Sequence, residues 1–234
     1  MDSINQLRGP IIVVNFKAYL EATGKRAIAL ARSADKIAYD LGATIVVAPQ
    51  FTDIKSVSES VDIPVFSQHL DPVKPGAYTG HLLADAVKSA GAEGSILNHS
   101  ERRIGMAEIA SSIERCAENE LLALVCADTV QASKEVARYR PAFVAIEPPD
   151  LIGSGISVSK ARPELITEGV SSIRAVNTSA RILCGAGITT SEDVSRALQL
   201  GTEGVLVASS VVKSKSPEVI LAGMAEALTK TIRS

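Results

Sequence analysis

The amino-acid sequence predicts an α/β protein folded as one (β/α)8 barrel, a closed parallel eight-stranded sheet wrapped by helices. Three observations carry this expectation. Short β-branched apolar runs alternate with longer Ala-rich segments of helical spacing from one end of the chain to the other. The runs are apolar throughout rather than alternately polar, as parallel strands are when connecting helices cover the sheet. Eight such runs favour closure over an open doubly wound sheet. That alternative usually carries a Gly-rich dinucleotide loop after its first strand, and here the first strand ends in Asn15-Phe16-Lys17. With 234 residues, 46% of them hydrophobic, and no linker or low-complexity tract, a single domain over residues 1–234 is expected.

In chain order the expected strands are Ile11–Phe16, Thr44–Ala48, Pro64–Ser67, Ser95–Asn98, Leu121–Cys126, Ala142–Ile146, Arg181–Cys184 and Gly204–Val207. Between the first two lies Gly24–Leu41, where Ala27, Ile28, Ala31, Ala34, Ile37, Ala38 and Leu41 recur at spacings of three and four, one apolar stripe of a helix. In the first strand a period of two puts Val13, Asn15 and Lys17 on one face, with Val14 and Phe16 on the other.

Composition excludes several classes. Lys plus Arg number 24 against 26 Asp plus Glu, a net charge of -2, so no basic excess exists to neutralise a nucleic-acid backbone or an anionic membrane. The longest fully apolar stretch, Leu121–Ala127, is too short to span a bilayer, and the opening MDSINQLRGP has no apolar leader, so a cytoplasmic protein is expected. Cys116, Cys126 and Cys184 are odd in number and widely spaced, which predicts reduced thiols and no thiolate metal site.

Chemistry in such a barrel sits at the carboxyl ends of the strands. Asn15 and Lys17 end the first strand together, although a lysine there also fits a surface role. His99, in Asn98-His99-Ser100-Glu101-Arg102-Arg103, follows the fourth strand. Ser100 is expected to cap a helical turn beginning there, whose N–H donors and positive end would keep the imidazole neutral; a hydrogen-bonded structural histidine is the alternative. His69 and His81 are weaker candidates, lying in a loop. Glu147 ends the sixth strand beneath Pro148-Pro149-Asp150-Leu151-Ile152-Gly153-Ser154-Gly155, a lid composition with stiff and loose sides, or else an ordinary connecting loop. After the seventh strand, the bare glycines of Cys184-Gly185-Ala186-Gly187 suit close approach to phosphate, and Thr189 with Glu192 resembles a capping box; Ala208-Ser209-Ser210 follows the eighth.

Taken together these segments resemble the triosephosphate isomerase family, through Asn15-Phe16-Lys17, Gly76-Ala77-Tyr78-Thr79-Gly80-His81, Asn98 to Arg103, Ala145-Ile146-Glu147-Pro148 and Ile152-Gly153-Ser154-Gly155, in family order. The likeness is closer to the short archaeal-type branch. His81 stands where the longer form usually has Glu, Pro148-Pro149-Asp150 where its lid carries an aromatic, and Cys184-Gly185-Ala186-Gly187 where it has Tyr-Gly-Gly-Ser. The resemblance implies a TIM barrel and cofactor-free, metal-free interconversion of glyceraldehyde 3-phosphate and dihydroxyacetone phosphate. It also implies a place in glycolysis, gluconeogenesis and the pentose phosphate pathway, and a homotetramer. By the same resemblance Glu147 is the base, neutral His99 polarises the substrate oxygens, Lys17 stabilises the enediolate and helps hold phosphate, and Asn15 positions the substrate. Glu101 partners Lys17, and the phosphate is gripped by backbone at Ile152, Gly153, Gly187, Ala208 and Ser209. The alternatives are another phosphosugar isomerase or epimerase, and a noncatalytic triose-phosphate-binding barrel.

Overall fold

The structure, a computed structural model, describes residues 7, 9–148 and 161–233. Ile152 and Gly153, with most of the expected lid around them, lie outside the described residues.

Eight parallel strands form the predicted barrel: β1 (Ile11–Asn15), β2 (Thr44–Ala48), β3 (Phe66–Ser67), β4 (Gly94–Leu97), β5 (Leu122–Ala127), β6 (Phe143–Ile146), β7 (Arg181–Cys184) and β8 (Gly204–Val207). They neighbour one another in the order β2-β1-β8-β7-β6-β5-β4-β3, and a parallel bridge between Val47 and Val65 joins the two ends. Outside run α1 (Lys25–Leu41), α2 (Ile54–Ser58), α3 (Ala84–Ser89), α4 (Met106–Glu118), α5 (Val130–Ala137), α6 (Pro163–Arg174), α7 (Ser191–Gln199), α8 (Ser209–Val212) and α9 (Pro217–Arg233).

Five strands differ from the sequence expectation: β5 lies one residue late, β6 starts one residue late at Phe143, and the other three differ at residues whose backbone departs from the ladder. Pro64 has no N–H to give a ladder, so β3 shrinks to Phe66–Ser67, although the Pro64 carbonyl still accepts the Val47 N–H at 3.2 Å. Asn98 turns to φ +56° and leaves β4, which therefore stops one residue early; at its start β4 gains Gly94, which pairs with Phe66 and Leu122. Phe16 drops out of β1, yet its N–H donates to the Ala48 carbonyl at 3.0 Å.

Alternation along the strands divides the apolar residues between two cores. Ile11, Val13, Val46, Ile96, Leu124, Phe143, Leu183 and Leu206 pack inside the barrel. Ile12, Val14, Phe16, Ile45, Val47 and Leu97 pack outward against the helices. The α1 stripe buries Ala27, Leu30, Ala31, Ala34 and Ala38 against that outer core, and Gly42 ends the helix at φ +63°, the left-handed conformation a helix C-terminus favours. One cap falls a residue later than expected. Because α7 begins at Ser191, the capping pair is Thr190 with Asp193 rather than Thr189 with Glu192: the Asp193 N–H donates to Thr190 Oγ1 at 3.2 Å, and the Thr190 N–H to Asp193 Oδ2 at 2.9 Å.

The amino-terminal end of the barrel is plugged. Leu7 packs into the interior core, the Arg181 guanidinium donates to the carbonyls of Leu7 and Gly9, and it stacks 5.3 Å from the Phe143 ring centre. The site lies at the opposite end, where the strands finish.

Candidate active site

The carboxyl ends of β1, β4, β6, β7 and β8 surround a cavity of about 230 Å³, whose walls include Asn15, Lys17, His99, Glu147, Gly187, Ala208 and Ser209. Residues far apart in the chain are thus brought together. Glu101 stands at the rim rather than on the wall.

Lys17 reaches the cavity by a route that strand alternation does not describe. It sits at φ +49°, a conformation that crowds the Cβ of any residue but glycine. Its N–H donates to Asn15 Oδ1 at 2.9 Å, and Gln68 Nε2 donates to its carbonyl at 2.9 Å. Its ammonium donates to Glu101 Oε1 at 2.8 Å, with Lys17 mostly buried and Glu101 exposed.

Asn98, also left-handed, carries the histidine loop. Its Nδ2 donates to the Cys126 carbonyl at 2.9 Å, and its Oδ1 accepts the Ile104 N–H at 3.0 Å. The expected turn after His99 forms, but Ser100 does not cap it. A single turn closes by the Arg102 N–H donating to the His99 carbonyl at 2.7 Å, α4 begins only at Met106, and Ser100 Oγ is buried with no partner among the described residues. The imidazole itself takes the donor instead: the Glu101 N–H donates to His99 Nδ1 at 3.2 Å, which leaves the ring proton on Nε2. Burial, and then the charge of Lys17, lower the His99 pKa to about 4, so the ring is neutral at neutral pH. The expected N–H donor faces the imidazole, from Glu101, while desolvation and a neighbouring cation stand where a helix end was expected.

His99 Nε2 lies 4.0 Å from Glu147 Oε1. Glu147 is 3% exposed, and its Oε2 has no hydrogen-bond partner among the described residues. Burial raises its pKa to about 7, against the opposing pull of the Cys126 thiol, which hydrogen-bonds it, and of Lys17. A carboxylate that takes up a proton near neutrality therefore stands beside an imidazole that does not.

Gly185 has a different role from the one its sequence context suggested. Its N–H is already given to the Ile146 carbonyl at 3.0 Å, and a Cβ there would lie 2.5 Å from Glu147 Cγ and 2.7 Å from Oε1. The missing side chain makes room for the carboxylate rather than for phosphate. On the far wall, Gly187 turns at φ +69°, and Ser210 Oγ donates to the Ile188 carbonyl at 3.0 Å, tying the loops after β7 and β8 together. Ser209 and Ser210 open α8, where first-turn N–H groups have no intrahelical acceptor. Ile188 and Ser210, from the two loops expected to bind an anion, also line the cavity, as do Thr189, expected only as a cap, and Tyr19, which was not anticipated. Tyr19 had a usable signal, its place two residues beyond Lys17; its ring lies 4.6 Å beneath the Lys213 ammonium. His69 is buried against Asp71, its Nε2 3.1 Å from Oδ1, and is not on the cavity wall. Among the described residues no group of three or more His, Cys, Asp or Glu is placed to hold a metal ion, and no helix is long and apolar enough to cross a membrane.

Residues 10–227 match the family model described as triosephosphate isomerase. The chain is 48% identical over 212 residues to the triosephosphate isomerase of Methanothermus fervidus, covering 91% of this chain and 96% of that protein. It is 47% identical over 208 residues to the one from Methanocaldococcus jannaschii, covering 89% and 95%. A crystal structure of triosephosphate isomerase from Bartonella henselae superposes with a TM-score of 0.75 at 18% identity, over 96% of this chain and 99% of that one, a likeness of fold.

Proposed function

The chain belongs to the triosephosphate isomerase family and is an aldose-ketose isomerase of triose phosphates, and we propose that Glu147, His99 and Lys17 carry its chemistry. The observation that supports this assignment is the opposed tuning of two neighbours: a buried carboxyl raised to about 7 beside an imidazole lowered to about 4. Between those values one group is a base and the other a neutral N–H donor.

In this reading the Glu147 carboxylate takes the proton from the carbon beside the carbonyl, and the C–H electron pair moves into the enediolate, placing negative charge on oxygen. His99 Nε2–H donates to that oxygen, and the Lys17 ammonium stabilises the charge within the cavity. Glu147 then returns the proton to the neighbouring carbon while the hydroxyl proton passes from one substrate oxygen to the other, completing the exchange between glyceraldehyde 3-phosphate and dihydroxyacetone phosphate without a cofactor. Asn15 holds the backbone of Lys17 and positions the substrate; Glu101 anchors the Lys17 ammonium. Backbone N–H groups at Gly187, Ala208 and Ser209 grip the phosphate dianion, together with Ile152 and Gly153 from the loop after β6.

The test is conversion of either triose phosphate in EDTA by the protein and its Glu147→Gln variant. We expect metal-independent turnover that falls by at least ~10³-fold in kcat while KM changes little, the pattern of a group acting on the transition state. A nearly fully active variant would remove Glu147 from the role of base.

The same reading includes one catalytic domain over residues 1–234, a homotetramer and a cytoplasmic location. The tetramer follows from the family resemblance, and three buried free cysteines suit a reducing compartment. Light scattering of the purified protein measures the assembly.

A further inference from the structure

Gln68 stands immediately after β3 and is not on the cavity wall, yet it is bonded to the site. Its Nε2 donates at 2.9 Å to the carbonyl of Lys17 and at 2.9 Å to that of Ala48, the last residue of β2. One side-chain amide thereby fastens the turn after β1 to the ends of the two adjoining strands. The turn needs fastening, because Lys17 occupies the left-handed region at φ +49° with a full side chain. Such a conformation persists only where surrounding bonds over-determine it. Here the Lys17 N–H is held by Asn15 Oδ1, the ammonium by Glu101, and the carbonyl by Gln68.

We propose that Gln68 is a positioning residue for the isomerisation, fixing the Lys17 peptide so that the ammonium is held over the cavity. The inference rests on the reading of Lys17 given above. With the Gln68 donor gone, the peptide after Lys17 relaxes toward the commoner backbone regions, the Cα–Cβ bond swings, and the charge moves away from substrate and from His99. Displacements on the scale of an ångström in a charged site are costly to catalysis.

Gln68→Met keeps the length of the side chain and removes both donated bonds. We expect KM for glyceraldehyde 3-phosphate and the competitive inhibition constant of inorganic phosphate to rise roughly five- to tenfold, with a smaller loss in kcat. Neither constant depends on the fraction of protein that is folded. Because the Lys17 charge helps lower the His99 pKa, the His99 midpoint followed by NMR is expected to move upward as well. Gln68→Asn retains the amide with a shorter reach and should fall between the wild type and Gln68→Met in all three readouts; if Gln68→Met does not fold, Gln68→Asn decides by the same criteria. Ser67→Ala serves as the control. It breaks the buried 2.7 Å bond from Ser67 Oγ at the end of β3 to Ser95 Oγ on β4 and should lower Tm while leaving KM, phosphate inhibition and His99 unchanged. A folded Gln68→Met with unaltered KM, phosphate inhibition and His99 midpoint overturns the inference and leaves Gln68 a purely structural residue, whatever its Tm. Lys17→Ala in the same assays separates the two levels. If it too leaves phosphate inhibition untouched, the reading of Lys17 itself fails; if it weakens inhibition and Gln68→Met does not, only the inference about Gln68 fails.

Discussion

Lys17 and Glu147 face the same cavity and are built in opposite ways. Around Lys17 the backbone N–H, the carbonyl and the ammonium each have a partner, in Asn15, Gln68 and Glu101. Glu147 is deeper, and its Oε2 has no partner among the described residues, although the Cys126 thiol bonds the group. The difference matches the two tasks. A cation that stabilises developing charge works best when it does not move or change its protonation, so bonds that hold it contribute to preorganisation. A base must bind a proton and release it, and a carboxylate saturated with donors would bind one too weakly.

That contrast can be broken from the Lys17 side most drastically. Lys17→Met keeps the stem and deletes the charge, and we expect kcat/KM to fall by ~10²–10³. The His99 titration midpoint, followed by NMR, should rise in the same variant, because one of the charges that lowers it is gone.

From the other side, Glu147→Gln sharpens the contrast through stability rather than rate. The folded-state pKa is raised to about 7 from the ordinary 4.5, so the folded protein binds that proton more tightly than the unfolded chain does. The stabilising effect of the protonated carboxyl is full below pH 4.5 and lost as pH rises through 7. Above that, the uncharged amide should be more stable than the wild type by roughly 3 kcal/mol, the advantage vanishing toward pH 4.5. Denaturant titrations of both proteins at pH 8 and pH 4.5 measure it.

Gly185→Ala displaces the base without removing it. With the new methyl 2.5 Å from Glu147 Cγ, the carboxylate must shift, and kcat should drop by about 10–10² while inhibition by inorganic phosphate is nearly unchanged. The mildest perturbation is pH. Below about 7, kcat/KM should fall tenfold per unit as Glu147 protonates, and His99 should add no inflection until about 4. A fall setting in only near pH 4.5 would mean that burial does not raise the carboxyl in solution.

Much of the barrel was legible because its signals are local. β2, β7 and β8 have the boundaries their apolar runs predict, and Val13 points inward while Val14 and Phe16 point outward, as a period of two requires. Asn15, Lys17, His99 and Glu147 were found because each stands at or just beyond the end of such a run. Errors arose where backbone conformation departs from the regular. Lys17 has a positive φ that its residue type does not announce, Asn98 adopts one that asparagine tolerates better than most, and Ser100 does not cap the turn that follows. Gln68 was invisible for another reason: its partners are 51 and 20 residues away, and an amide after a strand has no pattern of its own.

By itself the sequence determined the eight-fold alternation of strand and helix, the two faces of each strand, and which polar residues end the strands. It also carried the family, since five motifs stand in order along the chain. These follow from side-chain type and spacing, because periodicity decides which residues meet water. Only the tertiary structure decided the chemistry of those groups. Glu147 rises to about 7 because closure removes it from water, against the opposing pull of Lys17, and His99 falls to about 4 because closure removes it from water and sets Lys17 beside it, where the ends of β1, β4 and β6 meet. Desolvation and Coulomb interaction depend on distance through space, and that distance exists only once the barrel has closed.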